Sequence, residues 1–337
     1  MVCLETLIQV NCTFKIQIFQ LPEVQNKLLI ALGGNALLDS KSKGTIEEKE
    51  SASDNTSEQL LGLLSSDYNV ILTHGNGPQV GNLLIQNEEA SKKIPPMPLD
   101  VCVSETQGEI GYILQKSIQN ILNKYKIKKN VVTILTQVIV DKKDIAFENP
   151  SKPVGPYYTS DEAKVIIQQK GWKFIEDPAG KGYRRVVPSP KPIGILQAKI
   201  INDLAESGNI VIAVGGGGIP VSLDENNHIE GIEAVIDKDY ASARLAIDIN
   251  ADEFIIMTNI DKCYLNFNKP NQIELKSMNL DEASTYLEQG HFSSGSMGPK
   301  VGAAMDYVIN TGKNSIITNI ENLMQAIENK EGTLIHP

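Results

Sequence analysis

The sequence predicts a three-layer α/β/α sandwich on a mainly parallel open sheet, with a small inserted subdomain. Three observations carry that expectation. Short runs rich in Val, Ile and Leu recur without polar alternation, as strands buried on both faces of a parallel sheet do. The stretches between them are long enough for crossover helices. A proline-, glycine- and charge-rich region from Asp141 to about Pro192 then breaks the alternation.

Taken in order, strands are expected at Leu28–Leu32, Val70–Thr73, Val131–Val140, Ile210–Val214, Phe254–Thr258 and Ser315–Thr318. Gln107 to Lys124 places Ile110, Ile113, Leu114, Ile118 and Ile121 at helical spacing. Pro299 to Asn310 does the same with Val301, Ala304, Met305 and Val308; Pro299 suits a first turn and Gly312 a C-terminal cap. In the interrupting region, "DKKDIAFENPSKPVGPYY" and "EDPAGKGYRRVVPSPKP" flank Trp172, the sole tryptophan. So many proline breaks argue against a regular layer and mark an inserted subdomain or lid. "CYLNFNKPNQIEL", 263–275, reads as a hairpin off the main sheet. Residues 1–26 are mildly hydrophobic, with Lys15 the only basic residue among the first 25. They lack the positive start and compact apolar core of a secretory signal, and the arginines of a transit peptide. They are expected to be a poorly ordered or non-essential extension ahead of a domain that begins at Lys27.

Composition narrows the function. Hydrophobic residues at 41% and charged residues at 21% are ordinary for a soluble protein. A net charge of −10 argues against a nucleic-acid partner. No apolar run approaches the ~18 residues of a membrane helix. Cys3, Cys12, Cys102 and Cys263 have no C-x-x-C spacing and read as free thiols in a reducing compartment, hence a cytoplasmic expectation. The only arginines are Arg184, Arg185 and Arg244, so any phosphate handling falls mostly to lysines and backbone amides.

Three strand-like runs stop on glycine: "NKLLIALGGNALL", "NVILTHGNGPQVG" and "NIVIAVGGGGIPV". In an open parallel sheet, ligands bind beyond the C-terminal strand ends. Glycine admits close backbone approach, and successive amides at a helix start form an anion nest. Neither a G-x-G-x-x-G fingerprint nor a P-loop pattern is present, and the H-R-D and D-F-G signatures of protein kinases are absent. His74, inside the second turn, has no identifiable acid–base partner and reads as packing or orientation. Four stretches add charge: Lys152 between two prolines, Asp237-Lys238-Asp239 before a helix, Asn259 and Asp261 after a strand, and Lys300 in a first helical turn. A lysine at a helix start is disfavoured by the dipole unless an anion joins it.

Assembled, "ALGGNALL", "HGNGPQVGNLL", "MPLDVCVSETQGEIGY", "LTQVIVD", "NPSKPVGPYY", "RRVVPSPKP", "GGGGIPV", "GIEAVIDKD" and "GHFSSGSMGPK" resemble the motifs of the amino acid kinase family, and within it the carbamate kinases. The resemblance covers about Lys27 to Pro337. It implies a homodimer with a protruding subdomain at about 141–190, an acceptor-binding part at 27–208 and a nucleotide-binding part at 209–337. The reaction implied is reversible, Mg²⁺-dependent phosphoryl transfer between ATP and carbamate, giving ADP and carbamoyl phosphate, with no nucleic-acid or membrane partner. It further implies that Gly33, Gly34 and Asn35 face the transferred phosphate, and that Gly75, Asn76 and Gly77 form the carbamate-side loop. Lys152 matches the lid lysine and Lys238 the lysine on the moving phosphoryl group. Asp239 would position lysines or magnesium, and Lys300 would reach the nucleotide phosphates. Gly216, Gly217 and Gly218 would lie beside those phosphates; Asp261, Tyr264 and Met297 would line the nucleotide pocket. No dedicated metal cage is expected, the phosphates holding Mg²⁺.

Three positions depart from the pattern: "AGKGYRR" puts Lys181 and Tyr183 where arginine and tryptophan are usual, and Glu105 replaces an apolar residue. These bear on lid contacts or the dimer surface rather than the lysines. The rivals are a family relative acting on acetylglutamate, aspartate or UMP, and a non-catalytic nucleotide-binding regulator. The lysine-bearing insert speaks against the first and the retained lysines against the second.

Overall fold

The structure, a computed structural model, describes residues 25–33, 44–177, 180–293 and 295–337. Expectations for residues 1–24, Gly34 and Asn35 lie outside the described residues. The described chain begins with β1 (Lys27–Ala31), α1 (Ile46–Gln59), α2 (Leu61–Leu64), β2 (Asn69–Thr73), α3 (Gly77–Ala90) and α4 (Leu99–Lys124). It goes on through β3 (Val131–Thr133), β4 (Gln137–Val140), β5 (Lys152–Tyr158), α5 (Ser160–Lys170), β6 (Lys173–Glu176), β7 (Tyr183–Val187) and β8 (Pro192–Ile195). Then come α6 (Ala198–Glu206), β9 (Ile210–Ile212), β10 (Ile219–Leu223), β11 (Ile229–Gly231), α7 (Lys238–Asp248) and β12 (Glu253–Met257). The chain closes with β13 (Cys263–Leu265), β14 (Ile273–Leu275), β15 (Ser277–Asn279), α8 (Leu280–Glu288), α9 (Met297–Thr311), β16 (Ser315–Thr318), α10 (Leu323–Ile327) and β17 (Thr333–His336).

The main sheet has eight strands in the order β15-β17-β16-β12-β1-β2-β9-β3. From β3 to β16 every pairing is parallel; only β16 and β17 run antiparallel. The uninterrupted apolar runs follow from burial on both faces. In β1, Leu29 and Ala31 join one core with residues of α6, α7 and α9, while Leu28 and Ile30 join another with residues of α4 and α10. β12 alternates in the same way, Phe254 and Ile256 against Ile255 and Met257. Helices therefore cover both faces, which makes the three layers. The hairpin β13–β14 is antiparallel, as expected.

Three expectations change. The run Val131–Val140 is two strands in two sheets: β3 edges the main sheet, while β4 sits in a second sheet of order β11-β10-β4-β8. Gln107 makes the break. Its side chain accepts from Thr136 N at 2.8 Å and donates to Thr136 O at 3.1 Å, so it takes the amide of that residue and shares its carbonyl with Ile219 N of β10. The helix expected from Gln107 starts eight residues earlier, at Leu99, because Leu99, Cys102, Val103 and Thr106 are already buried along its inner face. The proline-rich region is more regular than its breakers suggest. It holds α5 and a three-stranded sheet of order β5-β7-β6. Pro153 and Pro156 both lie in β5, an edge strand, where a missing N–H costs no ladder bond. Gly155, at φ 72°, lies where the β5–β7 register shifts.

Candidate active site

The C-terminal ends of β1 and β2 meet the start of α7. Leu32, just past β1, donates to Thr73 O at 2.9 Å, and its carbonyl accepts from Lys238 Nζ at 2.8 Å. Thr73, at the end of β2, bonds Ser242 Oγ at 2.6 Å, and Ser242 in turn donates to Lys238 O. The first turn of α7 is thus fastened to two strand ends. α9 comes alongside because Gly302 leaves room for Tyr240: a Cβ there would lie 2.3 Å from the tyrosine oxygen.

This close packing brings three charges together. Lys300 Nζ donates to Asp239 Oδ2 at 2.9 Å, and Lys238 Nζ lies 2.9 Å from Asp239 Oδ1. The second contact is an ion pair without hydrogen-bond alignment. Burial alone would raise the Asp239 pKa; Lys238 and Lys300 outweigh it and hold the carboxyl down at about 2. Burial pushes the Lys238 ammonium down, against the pull of Asp239 and with the repulsion of Lys300. Lys152, from β5, donates to Asp237 Oδ2 at 2.7 Å, and Asp237 caps α7 by accepting from Asp239 N at 2.9 Å. Three ammonium groups and two carboxylates leave one net positive charge here, suited to anionic ligands.

The glycine turns differ from one another. Gly33 sits against the end of β12, where a Cβ would be 3.1 Å from Met257 O. Gly75 lies beside the Lys238 stem, and Gly77, open on its side-chain side, begins α3. Asn76 is buried and donates to Thr106 Oγ1 at 2.9 Å, so its side chain braces the loop from within. The third turn is also turned inward. The amides of Gly216, Gly217 and Gly218 already donate to His74 O, Val214 O and Gly215 O. A Cβ on Gly216 would meet Asn76 Nδ2 at 2.3 Å, and one on Gly218 would meet Val138 at 2.1 Å. These glycines shape the floor of the site; their amides are not an open anion nest.

His74 is buried, with Nδ1 2.9 Å from Gly75 O, so Nδ1 carries the proton. Burial lowers its pKa to about 4, which the Gly75 bond opposes and Lys238 assists. A neutral, walled-in imidazole fits orientation rather than proton transfer.

Asp261, Tyr264 and Met297 lie apart from this cluster. The Tyr264 hydroxyl donates to Asp261 at 2.8 Å, which pushes its pKa to about 12. Tyr264 and Met297 line a groove of about 500 Å³ with Asn259, Phe267, His291 and Phe292. Met297 opens α9 one turn before Lys300, so the groove and the lysine share one helix start. Thr73, Thr106, Ser242 and Gly302 escape sequence reading, because their partners are remote and their residue types are common.

The amino acid kinase family profile matches residues 26–319. The carbamate kinase of Thermococcus kodakarensis is 47% identical over 92% of this chain and 98% of its own length. That of Trichomonas vaginalis is 44% identical over 92% and 99%. The solved carbamate kinase of Giardia lamblia bound to AMP-PNP superposes with a TM-score of 0.86 at 41% identity, covering 93% of this chain and 98% of that one. The chain therefore belongs to the amino acid kinase family, on its carbamate kinase branch.

Proposed function

We propose that this chain catalyses reversible phosphoryl transfer between ATP and carbamate, giving ADP and carbamoyl phosphate. The observation that carries it is the Lys238–Asp239–Lys300 cluster at the sheet's C-terminal edge, with Lys152 held beside it through Asp237. Carbamate is already an oxyanion, so its attack on the γ-phosphate needs no general base. What the reaction needs is two anions held in line and charge neutralised on the moving group. In this reading Lys238 and Lys300 stabilise that group and the nucleotide phosphates, Lys152 serves the acceptor, and Asp239 holds the two inner lysines in place. Gly33, Gly34 and Asn35 would face the transferred phosphate, and Gly75, Asn76 and Gly77 the acceptor. The Tyr264–Met297 groove, with Asp261, would take the nucleotide, and Gly216, Gly217 and Gly218 would support it from below.

Magnesium would enter with the nucleotide and neutralise phosphate charge. The donor set fits an ion carried by phosphates, since the carboxylates of Asp237 and Asp239 are both engaged by ammonium groups. We further assign the chain to a homodimer in the cytoplasm, and to ATP formation from carbamoyl phosphate in arginine breakdown. The names of its relatives favour carbamate over the acetylglutamate, aspartate or UMP alternatives.

The test is to mix protein, ADP, Mg²⁺ and carbamoyl phosphate. ATP should form; none from folded protein would sink the reading. Lys152→Ala should slow turnover at least about tenfold, a loss of ~1.4 kcal/mol in transition-state stabilisation. An unchanged rate would remove the lid-lysine role.

A further inference from the structure

We propose that Asp237 is a positioning residue that ties the inserted sheet to the lysine-bearing helix. Each of its two carboxylate oxygens has a separate task. Oδ1 accepts from Asp239 N at 2.9 Å and so caps α7, the helix that carries Lys238 and Asp239. Oδ2 accepts from Lys152 Nζ at 2.7 Å, and Lys152 opens β5, the edge strand of the inserted sheet. A single side chain therefore spans the two parts of the molecule that the proposed transfer must bring together.

The backbone around it supports that assignment. Val235, two residues before Asp237, donates to Pro188 O at 3.0 Å, immediately past β7. Val154, Val187 and Val235 share one small core with Val80, Leu99 and Val103. The Lys152–Asp237 pair is the charged counterpart of that apolar joint, and both side chains are only partly exposed, at 35% and 22%. Lysine carries a flexible four-carbon stem, so a lysine on an edge strand occupies many rotamers unless something holds it. Its ammonium has three N–H donors. Asp237 takes one and leaves two for an anionic acceptor. Capping and docking thus set the distance between Lys152 and the Lys238–Asp239 pair through one carboxylate.

This proposal rests on the reading of Lys152 as the acceptor-side lysine, and the test separates the two. Asp237→Asn keeps an equally good helix cap and removes the charge. Its melting temperature should stay within about 2 °C of wild type while kcat for ATP formation falls about tenfold and KM for ADP is unchanged. Asp237→Ser, another cap without charge, should behave the same way; Asp237→Ala should lose thermal stability as well. In a Lys152→Ala background, adding Asp237→Asn should change the rate less than about twofold, since the group it positions is gone. Wild-type kcat in Asp237→Asn and Asp237→Ser, with Lys152→Ala slow, overturns the Asp237 assignment alone. Full multiplication of the two effects overturns it too. A wild-type rate in Lys152→Ala overturns the underlying reading and this proposal with it.

Discussion

Asp239 is the residue on which the site turns, because one buried carboxylate serves two ammonium groups. Asp239→Asn leaves Lys238 and Lys300 facing each other without the carboxylate that pairs both of them. Removing one member of a buried ion pair costs about 3–5 kcal/mol. Urea unfolding should show a loss of that order, and turnover should fall at least about a hundredfold; wild-type stability would mean that the lysines relax apart. His74 makes a separate prediction about pH. Its folded pKa of about 4 lies below the ordinary imidazole value of 6.5. Between those values the unfolded chain binds more protons than the folded one, so stability is full above about 6.5 and falls as pH drops toward about 4. The loss reaches roughly 3 kcal/mol, at 1.36 kcal/mol per unit. His74→Asn should flatten that part of the stability curve, and an unchanged slope would show that another group causes it. Asp239 acts in the same direction in a lower window, from about 4 down to about 2, where its protonation would undo the lysine cluster.

At the scale of elements, the second and third glycine turns call for opposite outcomes. Gly218→Ala places a Cβ 2.1 Å from Val138 at a φ of 82° and should destabilise the fold by roughly 2 kcal/mol or more, read in urea unfolding. Gly77→Ala meets nothing within 4 Å and should fold like wild type, so any loss of activity would report crowding of a ligand. Both turns look alike in sequence. What separates them is which neighbour lies under each, His74 and Asn76 under one and the opening of α3 under the other. The same limit runs through the fold. β1, β2, β9, β12 and β16 are legible because burial on both faces writes unbroken Val, Ile and Leu runs. The split between β3 and β4 is not, because Gln107, a residue remote in sequence, makes it. Lys238, Asp239 and Lys300 can be singled out one by one. That Lys300 pairs with Asp239 depends on Gly302 admitting Tyr240, which no local pattern announces. β5 is hidden by prolines that only an edge strand tolerates.

At the scale of the molecule, the main sheet is sealed on both faces by two large cores, whereas the inserted sheet shares one small one with α3 and α4. Among the described residues no helix is long and apolar enough to cross a membrane. The difference in core size has a consequence in amide hydrogen exchange. The strands β5, β6 and β7 should exchange as a unit at a lower opening free energy than β1, β2 and β12, whose amides should open only with the whole fold. With Lys152 on the acceptor as proposed, a nucleotide analogue and an acceptor analogue added together should slow exchange in β5 and β7 as well as in β12, because opening of either unit would release ligand. Equal protection of both sheets without ligand would mean that they melt together. The small core between Val154, Val187 and Val235 is therefore a weld of limited strength, one that lets part of the molecule breathe on a faster clock than the rest.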